Sequence, residues 1–299
     1  MIFNLFLIVL SRILTVFFIV LPEDMSLYLA RLVSRILLFM VRFTPYHNYM
    51  VNNVKMTFGK RFDDKESNAI VKKGIEGMCK SLVEVFRLPV LNKKNFEKKV
   101  QLFGKVNLDN VWAKGRGVIL VTAHFGNWEL EGAGLCLSGY PITTVIQDQI
   151  NPAVNDFLNK RRESKGMQVI SRYGDLRVLL KVLKQNRILA MLVDQHGESG
   201  KVFGTFFGKK VAIPEGPAVL SMLSGAQIVP IFIVRNSDDT HRIIIEEPLK
   251  TELMQEKERD KKITAISQMV SNALEKFISL YPDHWNWMYN RWDKLGGNS

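Results

Sequence analysis

Two histidines in this chain are followed five positions later by a glutamate, His124 by Glu129 and His241 by Glu246. Such a spacing arises readily by chance, so the surrounding residues must decide which pair is functional. His241 precedes the run Arg-Ile-Ile-Ile, which predicts a β-strand, and residues five apart on a strand point to opposite faces. We therefore expect that His241 and Glu246 do not meet.

The first pair lies in the segment Val121–Glu129, which reads Val-Thr-Ala-His-Phe-Gly-Asn-Trp-Glu. Gly126 and Asn127 predict a turn after a strand, with Asn127 as the cap of the following helix. Across that turn, His124 and Glu129 can reach hydrogen-bond distance beside the free N–H groups of the helix. Histidine could then take a proton from a hydroxyl group while the carboxylate fixes its tautomer. The alternative is a structural histidine capped by a neighbouring acid.

Several other chemistries are disfavoured by what the sequence lacks. It has no phosphate-binding Gly-x4-Gly-Lys loop, no Gly-x-Gly-x-x-Gly after a strand and no Gly-x-Ser-x-Gly elbow. Cys79 and Cys136 are too few for a disulfide framework or a zinc site. Asp194 and His196 alone make a weak metal site, so we expect neither a metal nor a cofactor.

The elements that position these residues alternate between short β-branched runs and helical patterns. Strands are expected at 117–123, 142–147, near 169, and at 188–194, 228–235 and 242–246, with helices at 63–88, 128–137, 152–165, 176–185 and 214–224. This alternation predicts an α/β fold with a mainly parallel sheet flanked by helices on both faces. Its ligands should bind beyond the carboxyl ends of the strands.

The N-terminal segment Met1–Leu21 is strongly apolar and long enough for a helix of about 20 residues to cross a bilayer. It lacks a basic start and an Ala-x-Ala cleavage pattern, so we interpret it as a retained anchor. We predict an N-terminal membrane-associated helical segment at residues 1–43 and one α/β domain at residues 44–299.

The stretch that follows the anchor carries Arg31, Arg35 and Arg42 on one side of an otherwise apolar helix. Such a stripe is typical of a helix lying among lipid headgroups, although three solvated arginines at the edge of a core helix give the same pattern. The formal net charge of +12 points to a polyanionic partner, which could be nucleic acid, an anionic bilayer or an acidic carrier protein.

The site motif resembles that of a known family. The segment Gly115–Leu130 is similar to the His-x4-acid block of the late acyltransferases of lipid A biosynthesis, members of the lysophospholipid acyltransferase superfamily. Further similar blocks follow in the same order across nearly the whole chain: Asn151–Pro152, Arg161–Arg162, Asp194–Gln195, Phe206–Gly208, Pro214–Ala218 and Trp285–Trp292.

This resemblance implies an enzyme at the cytoplasmic face of a bacterial inner membrane. It would move a fatty acyl group from an acyl-carrier-protein thioester to a hydroxyl of a lipid A precursor in lipopolysaccharide biosynthesis. His124 would be the general base and Glu129 its partner, and the substrate would contact Gly126, Asn127, Asp194 and at least one of Arg161 and Arg162. No acyl-enzyme is expected, because the motif contains no serine or cysteine.

Other readings of the resemblance stay open. The acceptor could be a mannosylated phosphoinositide, a lysophospholipid or an aminolipid, and the donor could be a coenzyme A thioester. Pro214–Gly216 lacks the following arginine of glycerophosphate acyltransferases, which favours a larger glycolipid. A basic, membrane-tethered binding protein is a distant alternative. No nucleic acid partner is expected, because the chain has no basic motif interleaved with aromatic residues.

Overall fold

The computed structural model describes residues 2–195, 202–253, 256, 258–289 and 291–292. Within these ranges the α-helices are α1 Ile2–Val20, α2 Glu23–Val41, α3 Pro45–Phe58, α4 Asp64–Arg87, α5 Lys93–Lys99, α6 Lys105–Trp112, α7 Trp128–Leu137, α8 Pro152–Glu163, α9 Leu176–Lys184, α10 Gly216–Ser224 and α11 Arg259–Leu280. Short 3₁₀ turns lie at Gly59–Arg61, Leu88–Val90, Thr251–Leu253 and Pro282–His284.

The strands of the described ranges are β1 Val100–Phe103, β2 Val118–Thr122, β3 Ile142–Ile146, β4 Gln168–Ser171, β5 Ile188–Leu192, β6 Phe203–Phe206, β7 Lys209–Ala212, β8 Gln227–Arg235 and β9 His241–Ile245. Seven of them form one sheet in the order β1-β9-β8-β2-β5-β3-β4. Its neighbours pair in parallel except β8 and β9, while β6 and β7 form a separate antiparallel hairpin. The predicted mainly parallel α/β sheet is confirmed.

The two faces of this sheet bury two separate hydrophobic cores. Along β2, Ile119 and Val121 join a core with α4, α10 and α11, whereas Val118 and Leu120 join a core with α5, α6 and α7. Because side chains alternate along a strand, an uninterrupted apolar run such as β2 can fill both cores. Helices therefore cover both faces of the sheet.

Local sequence signals explain where the helices around the site begin. Asp63 and Glu66 form a capping box at the start of α4, each side chain bonding the backbone N–H of the other. Asn127 caps α7, and Asn151 caps α8 just before Pro152. The expected helix at 128–137 is confirmed residue for residue as α7.

The two N-terminal helices pack on the body of the protein. Helix α1 lies against α8 and α4: the Asn151 side chain donates to Asn4 at 3.1 Å, and the Phe18 ring stacks on Phe86 with 5.7 Å between centroids. Its residues 3–20 form a window that is long and apolar enough to cross a membrane, and none of them is buried. The division of the chain at residue 43 stays a prediction.

The predicted arginine stripe of α2 is only partly exposed. Arg35 and Arg42 are exposed, whereas the Arg31 side chain, 39% exposed, pairs with Asp239 at 2.5 Å and Glu76 at 3.4 Å. Arg31 is therefore an ion-pair partner of the protein as well as a member of the stripe. Helical periodicity gives the side of a helix on which a residue lies, but it does not reveal carboxylates brought there by distant parts of the chain.

Candidate active site

His124 and Asp194 meet because their strands are parallel neighbours in register. Thr122 of β2 lies opposite Leu192 of β5, so the residues two positions beyond each strand arrive at the same edge of the sheet. The Asp194 Oδ1 atom lies 2.9 Å from His124 Nδ1, and its Oδ2 atom accepts the backbone N–H of His124 at 3.1 Å. A third donor, the Trp285 indole N–H, reaches the same Oδ2 at 2.9 Å.

The electrostatics of this pair define the tautomer of the histidine. Burial opposes ionisation of Asp194, but the His124 imidazole and the hydrogen bonds from His124 and Trp285 lower the pKa of its carboxyl to about 2. An ionised carboxylate can only accept, so Nδ1 carries the hydrogen and Nε2 is the nitrogen that can take a proton. Burial lowers the pKa of His124, but the charge and hydrogen bond of Asp194, with a smaller contribution from Glu129, raise it overall.

The position of Glu129 corrects the sequence prediction. It was expected to contact the imidazole across the turn, yet its carboxylate is held by Arg162 in a two-point ion pair, with Nε–Oε2 at 2.9 Å and Nη2–Oε1 at 2.5 Å. The first turn of α7 points this side chain toward α8. Asp194 contacts the imidazole in its place, while Glu129 acts on His124 through its charge. A catalytic role for Glu129 stays a prediction.

The two neighbouring arginines of α8 point in different directions. Arg162 reaches Glu129 and lines a cavity together with His124. Arg161 lies over the Phe157 ring and donates to Thr15 of α1 at 2.5 Å. Of the two arginines proposed to face the substrate, the structure therefore places Arg162 at the cavity and Arg161 at the contact with the N-terminal helix.

The turn between His124 and α7 has a constrained backbone. Gly126 adopts φ +56°, and a Cβ atom there would lie 2.2 Å from the carbonyl oxygen of Ile233, so only glycine fits. The backbone N–H of Gly126 donates to the His284 carbonyl at 2.8 Å, and that of Asn286 donates to the His124 carbonyl at 3.0 Å. Residues 284–286 thus hold the turn from one side.

Both ends of the Asn127 amide are hydrogen-bonded within the protein. Its oxygen accepts the N–H of Leu130 at 3.1 Å, and its nitrogen donates to Glu84 of α4 at 2.6 Å. Glu84 in turn makes a two-point ion pair with Arg235 at 2.7 and 2.6 Å. The substrate contacts expected for Gly126 and Asn127 stay predictions.

Sequence reasoning missed Trp285 and Glu84 as contacts of the site. Trp285 belongs to a motif that the family resemblance picked out, but nothing in its neighbours links the indole to Asp194. Glu84 lies in the last turn of the long amphipathic helix α4, where an acidic residue usually faces solvent. Its apolar neighbours Val83 and Val85 were the one signal in the sequence that it is buried.

Another buried acid close to the site was also missed. Glu131 lies two positions beyond Glu129, and burial raises the pKa of its carboxyl to about 8. It is therefore mostly protonated near neutral pH and does not compete with Asp194 as a charged partner.

Two cavities meet at His124 and Trp128. Cavity A, of about 450 Å³, lies between α3, α4 and residues 283–288, with Met50, Val71, Ile75 and Met288 among its apolar lining. Cavity B, of about 410 Å³, lies beyond the carboxyl ends of β3 and β5 and carries Gln147, Gln149, Arg162 and Arg172. This position matches the sequence-based expectation for ligands of a parallel sheet.

The second histidine–glutamate pair behaves as predicted. His241 is buried on β9 beside Glu84, with 3.7 Å between His241 Nε2 and Glu84 Oε1. Glu246 forms an ion pair with Lys276 of α11. The two side chains point to different partners, so the prediction that this pair does not meet is confirmed.

Asp194 and His196 were the two residues considered as metal ligands. His196 lies outside the described residues, and in the described part of the chain no three His, Cys, Asp or Glu side chains gather as metal ligands. Asp194 has the imidazole of His124 and the indole of Trp285 as its partners.

Fold and site together offer base chemistry on a hydroxyl group, at the edge of a parallel sheet and beside two cavities. The family model described as bacterial lipid A biosynthesis acyltransferase matches residues 3–294, and the chain belongs to this family. It is therefore an acyltransferase.

Individual relatives carry two kinds of name. A phosphatidylinositol mannoside acyltransferase of Mycolicibacterium smegmatis is 27% identical over 216 residues, covering 70% of this chain and 67% of that protein. A phosphatidylinositol mannoside acyltransferase of Mycobacterium tuberculosis is 31% identical over 166 residues, covering 51% of this chain and 52% of that protein. The lipid A biosynthesis palmitoleoyltransferase of Escherichia coli is 26% identical over 232 residues, covering 76% of this chain and 72% of that protein.

Proposed function

We propose that this chain transfers a fatty acyl group from an acyl-carrier-protein thioester to a hydroxyl group of a lipid A precursor, with His124 as the general base. The observation that carries the proposal is the His124–Asp194 contact, which engages Nδ1 of a histidine that lines both cavities and so leaves Nε2 as the nitrogen that can take a proton. A base held at the meeting point of two cavities suits a reaction between two bound substrates.

The chemistry is a direct transfer. His124 Nε2 takes the proton of the acceptor hydroxyl as its oxygen attacks the thioester carbonyl carbon. The carbon–sulfur bond then breaks, and the leaving thiolate recovers the proton from the imidazolium. Asp194 stays ionised throughout and stabilises that imidazolium. The first N–H groups of α7 are the donors proposed for the developing oxyanion. Arg162, whose nitrogens already donate to Glu129 and Asn159, contributes its positive charge to the same cavity.

The linings of the two cavities suit different substrates. Cavity A has the more apolar lining, which suits the acyl chain of the donor, and Lys73 at its rim suits an acidic carrier protein. Cavity B carries amide and guanidinium groups, among them Gln147 and Arg172, which suit a polar glycolipid headgroup. We assign the donor to cavity A and the acceptor to cavity B.

A mannosylated phosphoinositide is the second candidate acceptor. It is favoured by relatives of this chain whose names assign them to phosphatidylinositol mannoside. Both candidates are phosphorylated glycolipids that present sugar hydroxyls or hydroxyacyl groups, so the polar lining of cavity B fits either.

Membrane association at the cytoplasmic face of the inner membrane is part of the proposal. The exposed apolar α1 supports it, and so do large exposed side chains at the rim of cavity B. Ile150 follows Gln149 of cavity B, and Tyr173 follows Arg172; both side chains are well exposed. The neighbouring Asn151 bonds to α1, so the rim and this helix form one continuous surface. A glycolipid could reach cavity B from a bilayer touching that surface.

The membrane surface can be tested by flotation with anionic vesicles. The double variant Ile150→Asp, Tyr173→Asp should float less than the wild type, because charges replace apolar contact with lipid. Val106→Asp on α6 is the control, since Val106 is also apolar and exposed but lies apart from the rim. Equal flotation of all three proteins would contradict this surface.

The activity is tested by incubating the purified full chain with an acyl-carrier-protein thioester and each candidate acceptor, followed by mass spectrometry of the lipids. Coenzyme A thioesters form a parallel arm. We expect acylated lipid A precursor from the wild type and none from His124→Ala. Product only on phosphatidylinositol mannoside would replace the acceptor, product only from coenzyme A would replace the donor, and undiminished product from His124→Ala would remove the proposed base.

A further inference from the structure

We propose that Glu84 and Asn127 form a buried tie that positions the catalytic turn, so that Glu84 is a positioning residue for His124. Glu84 lies 43 positions before Asn127, on the face of α4 that packs against α7. This inference rests on the proposed role of His124 as the base.

The orientation of the Asn127 amide follows from its partners. The Glu84 carboxylate has no hydrogen to give, so it must face the Asn127 nitrogen, at 2.6 Å. The Leu130 N–H can only donate, so it must face the oxygen, at 3.1 Å. One side chain therefore both caps α7 and ties the turn to α4.

Arg235 makes this tie rigid and joins it to the rest of the site. Glu84 and Arg235 are nine-tenths buried and share two hydrogen bonds, which fixes the direction in which the carboxylate points. The backbone N–H of Arg235 also donates to His284 Nε2 at 3.0 Å, and the His284 carbonyl accepts from Gly126. The turn is thus held at Gly126 and at Asn127 by one connected network.

The alternative is that Asn127 matters only as a helix cap. A cap alone needs an acceptor oxygen, which serine supplies as well as asparagine. The Glu84 contact would then be incidental. The two roles can be separated, because the cap uses the oxygen of Asn127 and the tie uses its nitrogen.

The first test is Asn127→Ser, which keeps the cap, removes the tie and leaves the Glu84–Arg235 pair intact. We expect kcat to fall by about 10- to 10²-fold, because small displacements of a catalytic group are that costly, while KM changes little. Thermal unfolding should show that the variant is folded. A kcat equal to that of the wild type would overturn the inference.

The second test is a swap. Asn127→Asp keeps the cap but sets two carboxylates against each other, and Glu84→Gln removes the acceptor charge beside Arg235; each should lower kcat. In the double variant E84Q/N127D, the new amide at position 84 can donate to the new carboxylate at position 127, and one negative charge remains beside Arg235. We expect the double variant to recover most of kcat. A folded double variant as slow as either single variant would overturn the tie.

Asp239→Asn is the matched control, because Asp239 belongs to the same ion-pair network but contacts Arg31 and Lys80 instead of the turn. It should lower the unfolding temperature without lowering kcat; an equal loss of kcat would contradict a specific tie. If Glu84→Gln does not fold, the rate of Asn127→Ser decides whether the tie positions the turn. If the wild type itself transfers no acyl group, the proposed function fails rather than this inference.

Discussion

His124 and His241 each lie beside a buried carboxylate, yet their electrostatics are opposite. Asp194 raises the pKa of His124. Burial lowers the pKa of His241 to about 4, although Glu84 lies only 3.7 Å away. Two contacts differ: Asp194 is hydrogen-bonded to His124 at 2.9 Å, whereas Glu84 lies 3.7 Å from His241 and is paired with the Arg235 cation, which itself lowers the pKa of His241. A neighbouring carboxylate raises the pKa of a buried histidine most when it is hydrogen-bonded to the ring and no cation lies beside the pair.

Removing each histidine should give the largest contrast. His124→Ala should lower kcat by about 10³- to 10⁴-fold, because the general base is lost. His241→Asn should leave kcat per folded molecule within a few-fold of the wild type. Steady-state rates on the same acyl donor measure both, and comparable losses would erase the distinction between the two histidines.

Neutralising Asp194 should have the next largest effect. Asp194→Asn should lower kcat by roughly 10²- to 10³-fold, less than loss of the base itself. The base must be neutral, so activity falls as pH drops through the raised pKa of His124. Without the Asp194 charge the pKa of His124 should be lower, so this fall in activity should occur at lower pH in Asp194→Asn. If the fall occurs at the same pH in both pH–rate profiles, Asp194 does not act on His124.

The buried His241 should make the stability of the protein depend on pH. Its pKa is about 4 in the folded protein against 6.5 for a free histidine, so the unfolded chain binds the extra proton in that window. Stability should therefore fall as pH drops from 6.5 toward 4, by about 3 kcal/mol at most from this group. Urea unfolding across this range should show the loss in the wild type. The free energy of unfolding of His241→Asn should change less over this pH range. Parallel curves for the variant and the wild type would contradict a neutral buried histidine.

Glu129 should matter less than Asp194. Glu129→Gln removes a charge-assisted contact with Arg162 and a charge near His124, which we expect to lower kcat by roughly 10- to 10²-fold. Rates of Glu129→Gln and Asp194→Asn measured side by side decide between the two acids. A larger loss at Glu129 would favour the partner that sequence spacing suggested.

Glu246 should give the smallest effect of all. Its pair with Lys276 is partly exposed, so Glu246→Gln should change the free energy of unfolding by less than about 1 kcal/mol and leave the rate unchanged. A substantial loss of rate would mean that the second histidine–glutamate spacing is functional after all.

The fold was predictable from the sequence where the signals are local. The alternation from residue 117 onward and the Asn127 cap predicted β2, α7 and their neighbours to within a few residues. The strand β1 and the β6–β7 hairpin were not predicted. They are four residues long, and β1 is defined by its pairing with β9, which lies far along the chain.

The residues of the candidate site could be picked out from the sequence, but most of their contacts could not. Turn residues identified His124 and the start of α7. The Asp194 contact depends on β2 and β5 being neighbours, and strand order in a parallel sheet cannot be read from sequence spacing. The contacts of Trp285 and Glu84 depend on tertiary packing for the same reason.

The hydrogen bond from Trp285 to Asp194 also has a consequence for biosynthesis of the protein. The indole lies 91 positions after the aspartate, in a segment that is synthesised after β9, the last strand of the sheet in chain order. A nascent chain that has completed β2 and β5 can bring His124 and Asp194 together, but it still lacks that donor and the backbone contacts of residues 284–286. Asp194 therefore gains its full set of hydrogen-bond donors only after the C-terminal segment has been made.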